Sequence, residues 1–107
     1  MARTTSKPSF RFDLRAVVYQ QGEWWIAHCL ELDLVAEGRD LQSALRDLMD
    51  ISSTQLQTAL EAGDLESVFR PAPPEVWAMF ARAADLQPRG KPRRPVSRFE
   101  AREAVLM

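Results

Sequence analysis

The chain of 107 residues has one cysteine, Cys29, and one histidine, His28. A lone thiol excludes an intramolecular disulfide, and one thiol with one imidazole excludes a His-rich or Cys-rich metal cage. Only four glycines are present, and none belongs to a glycine-rich phosphate loop. Zinc spacings and a serine-centred nucleophile motif are missing too. Charge of either sign is scarcely in excess: 14 Lys and Arg against 15 Asp and Glu argue against coating nucleic acid or membrane by bulk electrostatics. The longest apolar run, Val76 to Ala81, is far too short to span a bilayer, and Met1 to Pro8 lack the apolar core of a signal peptide. These absences predict a cytoplasmic protein with no membrane partner, no metal site and no cofactor.

What is present reads as one globular α+β domain. Phe10, Phe12, Leu14, Ala16 and Val18 alternate with Arg11, Asp13 and Arg15, the period-two pattern of a half-buried strand, with Val17 and Tyr19 apolar on the second face. Gln20-Gln21-Gly22-Glu23 supplies a glycine for a tight reversal into Trp24 to Leu30, so a hairpin is predicted. Glu31-Leu32-Asp33-Leu34 interrupts the run, and Leu34 to Gly38 forms a third short strand. Asp40 is a good N-cap for a long amphipathic helix carrying Leu41, Ala44, Leu45, Leu48, Leu56 and Leu60 and ending at Gly63.

Beyond a single turn at 65–69, Pro71 to Pro74 break the chain before a second, shorter helix. Pro74 suits its first position, and Val76, Trp77, Met79, Phe80, Ala83 and Ala84 are apolar over most of its circumference. Val96 to Met107 fits both strand alternation and a capping box at Ser97 to Glu100, and a strand is preferred. The expected architecture is a small antiparallel three-stranded meander sheet packed by the long helix, with the second helix and a C-terminal strand. Residues 1–87 form the domain proper; 88–107 are a basic, Pro-rich linker and terminal strand, not an independent domain.

Charge position is more informative than net charge. Residues 31–66 hold nine acids and two bases, whereas 86–107 hold six bases and two acids. An acidic body suits a basic partner. Glu31 and Asp33, two apart, would project to one side of an extended segment and share a cation, with Asp13 as a third carboxylate, but solvated loop acids are the plainer reading. His28 and Cys29 point to opposite faces of a strand and cannot act as base and nucleophile together. Trp24 and Trp25 also lie on opposite faces, and the long helix covers only one. The other is satisfied by a partner surface or by the second helix. Lys91, Arg93 and Arg94 could touch phosphates from a flexible backbone, with salt-dependent affinity and little base specificity.

From Tyr19 to Gly38, with Ala44-Leu45 in the helix, the chain resembles the HicB-like antitoxin family. The resemblance rests on a strand, a glycine turn, an aromatic-led second strand, an acid-containing loop, a third strand ending in glycine and an Ala-Leu step. It covers roughly residues 10–62, about half the chain. It implies a partial ribonuclease H-like fold and a non-enzymatic protein, an oligomer in many members, that neutralises a small basic HicA-type toxin, an mRNA endonuclease. Trp24, Trp25, His28, Glu31 and Asp33 are then the expected partner-binding residues. The sequence departs from the pattern after the helix, where Pro71 to Trp77 and a basic tail stand in place of the ribbon-helix-helix or helix-turn-helix DNA-binding domain of many members. A stand-alone homo-oligomeric HicB-like module is the alternative. A divergent nuclease using Asp13, Glu31 and Asp33 as metal ligands is the remaining one.

Overall fold

A computed structural model describes residues 11–106. Phe10 and Met107, assigned above to the first and last strands, lie outside the described residues. The elements run β1 (Phe12–Gln21), β2 (Trp24–Cys29), β3 (Val35–Gly38), α1 (Leu41–Ala62), α2 (Pro74–Arg82), β4 (Ala84–Leu86) and β5 (Val96–Glu103). The strands form one sheet in the order β3-β2-β1-β5-β4. The expected meander is there as β1-β2-β3, antiparallel throughout, but it is part of a five-stranded mixed sheet. β5 lies parallel to β1, and β4 closes the far edge antiparallel to β5.

The hairpin and α1 follow from local chemistry. Gly22 takes φ +63° at the first central position of a two-residue turn between Gln21 and Trp24, a position that favours glycine in hairpins. Asp40 holds an extended backbone and accepts a hydrogen bond from the Ser43 amide at 2.9 Å, capping the first turn of α1. At the other end Gly63 is left-handed at φ 67°, and the Asp64 amide donates to the Ala59 carbonyl at 2.9 Å.

Alternation along β1 divides the interior into two layers. Leu14, Ala16 and Val18, with Ala27, Cys29, Ala36, Phe99 and Ala101, pack under Leu45, Leu48, Met49 and Leu56 of α1. Each fully buried leucine contributes about 1.5–3 kcal/mol. On the opposite face Val17, Leu30 and Ala104 meet Ala72, Val76 and Phe80. The chain reaches that face through Ala72, whose amide donates to the Leu30 carbonyl at 2.7 Å. Arg102 of β5 fastens the end of α2: its guanidinium lies 4.3 Å from the Phe80 ring and donates to the Phe80 carbonyl at 3.1 Å.

Three expectations need correction. The second helix stops at Arg82 instead of running through Ala84, because Ala83 turns extended and Ala84–Leu86 pairs with β5. The terminal strand is not peripheral: β5 separates β1 from β4. The Pro-rich segment is not a loose linker either. It runs along α1, with the Arg89 amide donating to Gln42 Oε1 at 3.0 Å and buried Ser53 donating to the Arg93 carbonyl at 2.8 Å. Among the described residues, no helix is long and apolar enough to cross a membrane.

Candidate functional site

β2 presents its side chains alternately, as strand geometry requires. Trp25 and Cys29 turn toward α1, and Trp25 is partly buried against that core. Trp24 faces the other way. α2 covers the β1 side of this second face but leaves Trp24 41% exposed, with the Arg39 guanidinium 4.6 Å from its ring centroid. α2 satisfies the second face at Val17 and Leu30, and Trp24 stays at the surface.

The loop from Leu30 to Leu34 does not unite its two acids. Residues 30–32 form a turn and Asp33 sits at φ 52°, so the extended geometry that would align the carboxylates is absent. Glu31 accepts a hydrogen bond from the Arg15 amide at 2.8 Å, with the Arg15 guanidinium at 3.6 Å. Burial pushes the Glu31 carboxyl above its ordinary range, and the two Arg15 interactions oppose that shift. Asp33 instead meets His28, with Oδ1 2.6 Å from Nε2. Asp13 lies on β1 opposite Arg98 of β5. Among the described residues, no three His, Cys, Asp or Glu side chains converge as metal ligands. The shared-cation arrangement of Glu31 and Asp33 is thus not the one the chain adopts.

Cys29 is fully buried beneath α1, and desolvation raises its thiol to about 11, so it is a core side chain and not a nucleophile. Of the basic candidates, Arg93 is spoken for: Nε lies 3.4 Å from Asp50 Oδ1, and its guanidinium reaches Thr54 at 3.4 Å. Lys91 and Arg94 are exposed on the same segment.

Three surface features were not named from the sequence. On β3, which the expected meander already makes an outer strand, Val35 is 48% exposed. Arg39, just past the exit glycine of β3, stacks on Trp24. Ile51 of α1 is 38% exposed although it lies in an apolar-rich helix. The helical spacing carried a signal for Ile51, which falls off the stripe defined by Leu45, Leu48 and Leu56. Comparison with protein-family models, with characterised proteins and with solved structures found no match.

Proposed function

We propose that the chain is a HicB-like antitoxin-type protein, a non-enzymatic cytoplasmic module that binds and neutralises a small basic HicA-type mRNA endonuclease. The observation that carries this reading is the run of exposed acids on α1 and the turn after it: Asp47, Glu61, Asp64 and Glu66 are exposed beside Arg46 and Arg70, while Asp50 is taken by Arg93 of the basic 89–94 segment that lies along the same helix. Such a surface steers a basic protein and disfavours acidic competitors. The residues that carry the family resemblance also have physical work in the fold. Gly22 makes the turn, and Gly38 lets β3 approach α1 so closely that an added Cβ would stand 2.7 Å from the Ala44 amide nitrogen.

The test is co-expression and pull-down with the product of the neighbouring gene. A stable complex with a small basic protein, weakened by salt and by Asp47→Lys with Glu61→Lys, is expected. Absence of any such complex would remove the antitoxin reading. A second reading, a homo-oligomeric module without a toxin, is favoured by one observation, the unpaired β3 edge with its exposed valine.

A further inference from the structure

The direction of every backbone group on β3 can be worked out from the ladder. The Leu30 amide donates to the Arg15 carbonyl and the Cys29 amide to the Leu34 carbonyl, both at 2.8 Å. Antiparallel pairs alternate between bonded and non-bonded, so Leu34, Ala36 and Gly38 bond to β2. Val35 and Glu37 therefore turn their N–H and C=O groups outward. Among the described residues nothing receives them. Both are exposed, as are Asp33 before them and Arg39 after them.

A strand edge of this kind is a template for another strand. Three two-fold antiparallel registers keep outward groups opposite outward groups. Centring on Val35 carries the second copy's Glu37 past the start of β3 toward Asp33, acid toward acid. Centring on Glu37 places the two Glu37 carboxylates opposite each other. Centring on Ala36 places Val35 opposite Glu37 within the strands and brings Asp33, which precedes β3 at φ 52°, near the second copy's Arg39, which follows it, on both sides of the axis. It is the register without like charges directly opposed, and such opposition is destabilising across a strand pair. Asp33 uses Oδ1 toward His28, which leaves Oδ2 to accept from a guanidinium.

α1 supplies a second, independent mark. Gln42, Asp50 and Ser53 hold the 87–93 segment on the flank of α1 nearer β4 and β5. At 100° per residue, Ile51 lies about half a turn around from Gln42, on the flank nearer β3. The large aliphatic residue exposed on α1 thus borders the unpaired edge, where a second copy's α1 would arrive.

We propose that β3 pairs antiparallel with β3 of a second copy about a two-fold axis at Ala36, joining two five-stranded sheets into one, with Asp33–Arg39 pairs at both ends and Ile51 beside the axis. The proposal rests on the self-association reading above and specifies its surface. Val35 exchanges both backbone hydrogen bonds with the partner's Glu37, and the partner's Val35 does the same with Glu37. The tail strand plays no part, since β5 is already paired on both sides.

Light scattering on the full chain reads the first level: a mass twice the 12.2 kDa of the chain is expected. Glu37→Pro reads the second. It deletes only an outward N–H, a change edge strands accommodate, so it should yield a folded monomer that still melts cooperatively but without the concentration dependence of the parent dimer's melt. Register is read by mixing Val35→Cys with Glu37→Cys chains under mild oxidation. Bonded partners sit about 5.5 Å apart between Cα atoms, inside the range for a disulfide. The mixed pair should cross-link several-fold more than either variant alone. Cys29, buried, adds no background. A monomer at every concentration overturns both the self-association reading and this edge. An oligomer that survives Glu37→Pro, or that cross-links no better in the mixed pair, overturns the edge assignment and leaves self-association standing.

Discussion

Gly38 ends β3 against the first turn of α1, and a methyl group there has no room. An added Cβ would lie 2.7 Å from the Ala44 amide nitrogen, 3.0 Å from Ala44 Cα and 3.2 Å from Ala44 Cβ. The two nearest atoms are backbone, held in the capped turn by the Ala44 amide's 3.1 Å hydrogen bond to the Asp40 carbonyl. Relief requires β3 and α1 to separate over Ala36, Leu45 and Leu48, and overpacking of this kind costs about 1–3 kcal/mol. With a urea slope of about 1.5 kcal/mol per M, Gly38→Ala should lower the unfolding midpoint by roughly 0.7–2 M without altering the slope. Adding Ala44→Gly removes only the most distant of the three atoms and should not restore stability. Gly22→Ala makes a useful contrast: it meets open space, and at φ +63° it carries a purely conformational cost of about 1 kcal/mol. A Gly38→Ala midpoint within about 0.3 M of the parent chain, or full rescue by Ala44→Gly, would refute the close approach of β3 to α1.

Two further outcomes follow from the interior. Leu48→Ala opens a cavity in the fully buried layer between α1 and the sheet, and chemical denaturation should show a loss of about 2–5 kcal/mol. Glu31 has a folded-state pKa above its ordinary 4.5, so in the window from 4.5 up to that raised value the folded chain binds more protons than the unfolded one. Stability contributed by Glu31 is therefore present below that window and lost as pH rises through it. Glu31→Gln, which keeps an acceptor for the Arg15 amide, should flatten that part of the stability–pH curve. An unchanged slope would show that Glu31 is not the group responsible.

Local chemistry made much of this chain legible. Asp40 and Gly63 mark the ends of α1 because capping depends on a few neighbouring residues, and Gly22 marks the hairpin for the same reason. The opposite orientation of Trp24 and Trp25 followed from strand alternation alone. What escaped was set by partners distant in sequence. Ala84–Leu86 is strand only because β5 lies beside it, and β5 sits between β1 and β4 through pairings that no local pattern encodes. At the candidate site, the alignment of Glu31 with Asp33 assumed an extended segment. The turn at 30–32 and the left-handed Asp33 send one acid to Arg15 and the other to His28. The outer place of β3 was implicit in the expected meander; that the C-terminal strand would join β1 and leave β3 open was not, because that pairing joins residues far apart in sequence.

The place of β5 between β1 and β4 has a consequence for how the protein comes into being. During synthesis β1 emerges early and β5 is made after every strand it must join. Until then the β1 flank that β5 will occupy is a second unsealed border, next to Leu14, Ala16 and Val18. The meander and α1 can assemble while the ribosome is still working, but the sheet is completed only when the late-made β5 adds to the open flank of β1 and brings β4, which pairs with β5 alone, onto its far side. Such long-range closure is slow and leaves apolar surface open to neighbouring nascent chains. The alternating arginines and acids of the 11–15 and 98–103 segments give both unpaired strands a charged face during that interval, a feature that guards open borders against the wrong partner.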